Sequence, residues 1–184
     1  MTAATFNPAQ SVRFDLTHGA VRAGTADDRL LLVPASALVD LALSASTEAA
    51  EAFAHALGSA VGRRAAARIG DASGSSPEDF VTHLAGEAAL AGLGVLSVER
   101  WGRALVVLLE GSPLVGPLVG PFVGAALEGA SGRKVATTVL SHERDEHRAR
   151  VLVSSEGAVG RVREWIAAGA SWGDAITRLQ GGRA

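Results

Sequence analysis

The sequence predicts an α+β fold: a largely antiparallel, twisted sheet with helices packed mainly on one face. Three observations carry that expectation. Alternating or continuous apolar runs at 12–16, 95–100, 103–109 and 135–139 read as strands, and most are joined by tight turns into hairpins. Longer segments with apolar residues at three- and four-residue steps read as helices. The strands arrive in hairpin pairs between helices rather than singly, which disfavours a doubly wound parallel sheet.

The first element, Val12 to Leu16, alternates so that Val12, Phe14 and Leu16 share one face of a half-buried strand. Thr17, His18 and Gly19 make a turn into Val21–Ala23, and a loop over 24–28 leads to Arg29–Val33, whose unbroken apolar run predicts a strand covered on both faces. Pro34 suits a helix start. Helices are expected over Ala35–Ser44 and Thr47–Ile69, the second with Phe53, Leu57 and Val61 inward and Gly58 and Gly62 admitting another backbone. A Gly/Ser loop over 71–76 precedes a capping box at Ser76–Asp79, and Phe80, Leu84, Ala88 and Ala91 form the stripe of the next helix. Val95–Arg100 and Arg103–Leu109 form a hairpin turning at Trp101 and Gly102. A Leu-Val-Gly-Pro repeat at 114 and 118 leads into a helix capped by Gly132, followed by a strand from Val135 to Val139, a polar turn from Ser141 to His147 and a strand at Val151–Val153. The remainder, Val159 to Leu179, is helical with a break near Gly169.

The 184 residues suit one domain, able to bury roughly 70% of the surface its unfolded chain exposes. With a net charge of -2 there is no basic surplus to release counterions from phosphates, so nucleic acid is not an expected partner. Cysteine is absent, which excludes disulfides, thiolate ligands and thiol nucleophiles. The N-terminus has neither the basic nor the apolar part of a signal peptide. The longest uncharged apolar run, 111–126, holds three prolines, so no membrane span and a cytoplasmic location are expected. Lys134 is the one lysine beside sixteen arginines, a composition typical of GC-rich bacterial genomes.

Catalytic motifs fail on context. Gly169 to Gly173 has the spacing of a nucleophile elbow around Ser171, but helix rather than strand precedes it, no histidine follows, and Ser171 with Asp174 makes a better helix cap. Gly124 to Gly129 has P-loop glycine spacing, yet Ala130 and Ser131 stand where Lys and Ser/Thr would hold phosphate and magnesium. Gly92 and Gly94 lack the third glycine of a dinucleotide turn. His142 and His147, with Glu143, Asp145 and Glu146, are the densest cluster of possible ligands, but on a hairpin turn such residues are ordinarily solvated and the spacing is not that of a zinc motif. No catalytic residue, metal or cofactor is expected, and the chain reads as non-enzymatic.

Three stretches, Arg29 to Leu38, Leu57 to Arg64 and Gly120 to Val135, together resemble the 4-vinyl-reductase domain family, which is similar in turn to Bet-type subunits of the TRAPP vesicle-tethering complex. The resemblance covers residues 11–154, leaving 1–10 as a flexible N-terminus and 155–184 as a C-terminal helical extension. It implies an α/β plait that often dimerises and binds apolar small molecules, as in sensor domains for aromatic compounds and a tetrapyrrole-pathway accessory protein. Many members carry cysteines in the last hairpin, and in aromatic sensors cysteines hold a structural zinc. The matching hairpin here, 140–150, offers His142 and His147 but no cysteine, so that metal is not carried over.

Two functions are therefore expected in competition. One is an apolar-ligand-binding or sensory domain with Phe53, Leu84, Leu108, Phe122 and Val123 lining a cavity. The other is a dimeric scaffold, with Trp165 and Trp172 in the C-terminal helix as anchors for a protein partner. A homodimer is expected through helices at Ala35–Ile69, where Gly58 and Gly62 allow close contact and a sheet covered on one face leaves an apolar stripe.

Overall fold

Alanine fills much of 47–69, and its low helix cost carries a 23-residue helix through two interior glycines. In the computed structural model, which describes residues 6–23, 29–69, 77–102 and 104–181, six helices and seven strands form. The helices are α1 (Ala35–Ser44), α2 (Thr47–Ile69), α3 (Pro77–Leu90), α4 (Val119–Ser131), α5 (Glu156–Ala167) and α6 (Trp172–Gly181). The buried side of α2 is made of small residues, Ala50, Ala54, Gly58, Gly62 and Ala65, with Val61 the one large member. That stripe packs on α4. A methyl group at Gly58 would strike the Phe122 carbonyl and one at Gly62 the Ala126 carbonyl, while Gly129 of α4 faces the Cα of Gly62 in return. The close approach expected at Gly58 and Gly62 is thus made within one chain, and both positions are already covered.

The strands are β1 (Val12–Asp15), β2 (Ala20–Ala23), β3 (Arg29–Leu30), β4 (Val95–Trp101), β5 (Ala104–Glu110), β6 (Ala136–Glu143) and β7 (Arg148–Ser154). β4 to β7 form one antiparallel sheet in the order β4-β5-β7-β6, with a register shift between Val139 and Ser141 of β6. β5 has no solvent face. Val107 and Leu109 enter the main core with Leu84, Phe122 and Val123, whereas Ala104 and Val106 enter a second cluster with Val159, Val162, Ala175 and Ile176 of α5 and α6. The larger helical layer does lie on one side, as expected, but the C-terminal helices cover the other. The open stripe that motivated a dimer through Ala35–Ile69 is therefore closed by the chain itself.

Helix ends follow their local chemistry. Gly92 ends α3 at φ 70°, with the Leu93 N–H bonded to the Ala88 carbonyl and the Gly92 N–H to the Ala89 carbonyl, a Schellman pair. Gly132 ends α4 at φ 67°. The Ser171 hydroxyl accepts the Asp174 N–H at 3.1 Å, so it is a helix cap, as its sequence context implied. The expected loops at 24–28 and 71–76 lie outside the described residues, as does the capping-box Ser76; α3 does begin at Pro77.

The N-terminal part departs from expectation. β1, β2 and β3 form a separate antiparallel sheet. Phe14 is 64% exposed and Leu16 90%, so the face expected to be half-buried is open. The strand expected over Arg29–Val33 stops at Leu30, and Leu31 and Leu32 are exposed rather than doubly covered. Alternation reports which residues share a face; it does not report whether anything lies on that face. Ala91 lies just past the end of α3 and is exposed, and the buried stripe of α3 includes His83 and Glu87 instead.

Because α4 backbone occupies the space beside Gly62, Gly62→Ala is expected to lower stability by roughly 1–3 kcal/mol, the cost of overpacking a closed core. Gly160 in α5 faces open space. Gly160→Ala should be neutral or stabilising by up to about 1 kcal/mol, since it only removes backbone freedom. Urea unfolding of both variants checks the pair, and an unaltered midpoint for Gly62→Ala would contradict the helix contact.

Candidate functional site

Of the five residues expected to line a cavity, four come together in the main core and Leu108 stands apart. Leu84, Phe122 and Val123 have no exposed surface and fill the main core, with Phe53 packed at its edge. Leu108 alternates with Val107 and Leu109 and so belongs to the opposite face of the sheet. The close α2–α4 packing leaves these side chains touching protein rather than a ligand. Trp165 and Trp172 likewise serve the fold: both pack against the second core, and Trp172 meets Trp101 edge-on at 5.5 Å with the Arg150 guanidinium 5.1 Å from its ring.

The chemistry concentrates between α2 and α3. Arg64 and Arg68 are one helical turn apart on α2, as are His83 and Glu87 on α3, so each pair presents two polar groups along one face. The faces meet. Glu87 is 2% exposed and accepts a hydrogen bond from Arg64 Nε at 2.9 Å through one oxygen and from Arg68 Nε through the other. His83 is 6% exposed, and its Nδ1 has no hydrogen-bond partner among the described residues. A buried polar nitrogen left unpaired costs about 1–3 kcal/mol, so this one marks a place where something polar would be accommodated.

Against this cluster lies the ring of Phe6. Its centroid is 6.1 Å from that of His83 in an edge-on arrangement, and Arg68 Cζ stands 5.3 Å from it. Beneath it is Gly86, where a Cβ would come within 2.5 Å of the ring carbons. Backbone, imidazole edge and guanidinium thus bound a slot for one flat ring. Residues 6–10, expected to belong to a flexible N-terminus, instead form a 3₁₀ turn at Pro8–Gln10, capped by the Asn7 side chain. The signal for this site in the sequence is the matched four-residue spacing of Arg64 and Arg68 on one helix and of His83 and Glu87 on the next.

Among the described residues, open grooves also line the surface. One of about 540 Å³ runs along the proline–glycine repeat, between Pro117 and Pro121 on one wall and Thr137, Val139 and Arg163 on the other. Open grooves bury less of a small ligand than an enclosed site does. The 141–147 turn is an ion-pair network: Arg148 meets Glu110, Glu143 and Glu146, and Arg150 meets Glu143. Those carboxylates are committed to guanidinium groups, and among the described residues no three His, Asp or Glu side chains cluster to hold a metal.

The sequence matches no family model and no curated protein. The fold is similar to the phenol-responsive sensory domain of the transcription activator PoxR, crystallised with phenol, at TM-score 0.61 and 16% identity over 93% of this chain and 92% of that one. Among the described residues, no helix is long and apolar enough to cross a membrane.

Removing the shared carboxylate with Glu87→Ala should cost roughly 3–5 kcal/mol, because it leaves two largely buried guanidinium groups unpaired. A chemical-denaturation loss below about 1 kcal/mol would show the cluster to be solvated. A second expectation concerns His142, whose pKa is held below the ordinary 6.5 by burial and then by the charges of Arg144 and His147. The unfolded chain binds that proton more readily, so stability should fall as pH drops through 6.5 toward the depressed folded value. His142→Gln should flatten that slope in urea midpoints taken between about pH 8 and about pH 5; identical slopes in the two proteins would refute it.

Proposed function

We propose that this chain is a non-enzymatic, small-molecule-binding sensory domain of the bacterial cytoplasm, and that its ligand is a small apolar compound built on a single aromatic ring. The carrying observation is the ring slot over Gly86, with the His83 edge on one side and the Arg68 guanidinium 5.3 Å from the ring centroid. Such a slot provides apolar contact, a quadrupole partner and one unused polar atom, the usual elements of a selective small-ligand site. The shared architecture with a phenol-responsive sensory domain supports the reading, as does the resemblance of three sequence stretches to 4-vinyl-reductase domains.

A second reading, a dimeric assembly module, is favoured by one specific feature. Phe14 of β1, Leu16 just after it, Leu31 and Leu32 after β3, and Leu41 of α1 are exposed, Leu31 by 83% and Leu41 by 69%. Large apolar side chains exposed in this number favour an interaction surface. We assign these residues to a homodimer, which is compatible with sensing; relative to the expected interface over Ala35–Ile69, it keeps α1 and exchanges α2 for the N-terminal sheet. Sedimentation equilibrium tests it: a mass near twice 18.7 kDa is expected, and a concentration-independent 18.7 kDa would exclude it.

The ligand reading is tested by thermal melting with phenol, toluene, benzoate and cyclohexanol. At about a hundred times Kd a ligand stabilises by about 2.7 kcal/mol, equivalent to about 5–10 °C for a domain of this size. At least one aromatic member should produce such a shift and cyclohexanol should not. No shift from any ring would remove the reading.

A further inference from the structure

Resting on the sensory reading above, we propose that Phe6 is a tethered occupant of a site for a free aromatic ring, and that ligand entry expels the N-terminal segment from the groove between α2 and α3. The ligand class is a single aromatic ring carrying one hydrogen-bonding substituent.

The slot is shaped for a ring in general rather than for this residue. Its floor is the bare backbone of Gly86, placed inside α3, where a glycine is less favourable to the helix than alanine. The absence of a side chain there is what lets a ring lie against the helix, since a Cβ would stand 2.5 Å from the ring carbons. The surrounding groups exceed what a phenyl ring uses. Phe6 offers its edge to His83 but nothing to the buried Nδ1, which stays without a partner. A hydroxyl or similar group on a free ring would satisfy that nitrogen, which Phe6 cannot do. The Arg68 guanidinium near the ring favours an electron-rich ring.

The tether is short and its release has somewhere to go. Phe6 is followed by the Pro8–Gln10 turn, in which Ser11 Oγ donates to the Asn7 carbonyl at 2.7 Å, and then directly by β1. Losing the ring contact therefore frees the turn and the edge of the N-terminal sheet, the same sheet that exposes Phe14 and Leu16. Occupancy of a slot between α2 and α3 is thereby coupled to an apolar surface fit for a partner. A tethered ring competes at an effective concentration of about millimolar, so it weakens a free ligand without excluding it.

The test is calorimetric titration of the full chain with phenol. Phe6→Ala is expected to tighten phenol binding about tenfold or more, because the competing occupant is gone. Phe6→Leu, which keeps apolar volume and so protects the fold, should tighten it by a smaller factor. Adding Gly86→Ala to either variant should abolish binding, since the floor of the slot is then filled. Equal affinity for phenol in the original chain and both Phe6 variants would overturn the plug while leaving the sensory reading standing. Phenol binding that survives Gly86→Ala would place the ligand elsewhere and overturn it too. No phenol binding by any variant would overturn the plug and the single-ring ligand together.

Discussion

The structure depends on α4 being buried on every side. Eight of its residues, from Val119 to Leu127, are inaccessible, which a helix achieves only when neighbours approach on both faces. Glycine makes that possible. Toward α2, Gly58 and Gly62 admit the α4 carbonyls and Gly129 returns the contact; toward β6, Gly120 and Gly124 face Thr137, whose hydroxyl donates to the Gly120 carbonyl at 3.2 Å. The helix is pinned between another helix and the sheet, and Phe122, fully buried, fills the space those glycines leave. The same closeness leaves Leu84, Phe122 and Val123 without exposed surface.

Polar chemistry collects at the margin of this core. The α2–α3 seam is such a margin, because α3 joins the core through Leu84 and Ala88 yet turns His83 and Glu87 toward Arg64 and Arg68. A buried carboxylate shared by two guanidinium groups adds little net stability over an apolar seam, but it costs several kcal/mol to disrupt one partner at a time. Such a cluster fixes the relative register of two helices while keeping polar atoms where an apolar core would have none. Phe6 caps it from outside, joined to the N-terminal sheet by one turn of chain.

Much of the architecture was legible. The bounds of α1 and α2, the glycine stops at Gly92 and Gly132, the hairpin at Trp101–Gly102 and the Ser171 cap all follow from local propensity and capping chemistry, which act within a few residues. What was not legible depended on distant partners. Phe14 and Leu16 alternate like core residues but have no cover in the chain, and α5 and α6 close a sheet face that no short-range pattern marked as taken. The site was hidden for the same reason. Arg64 and Arg68 look like a solvated helix face until α3 brings Glu87 against them, and the aromatic in the slot is supplied by Phe6, dozens of residues away in sequence.

The most direct measurement is a set of nuclear Overhauser contacts from the Phe6 ring, recorded for the full chain with and without phenol. Without phenol, the Phe6 ring protons should show contacts to Gly86 Hα and to the His83 imidazole. With phenol at saturation, those contacts should vanish and be replaced by contacts from the phenol ring to the same protons. Persistence of the Phe6–Gly86 contacts at full phenol occupancy would contradict a shared site between α2 and α3.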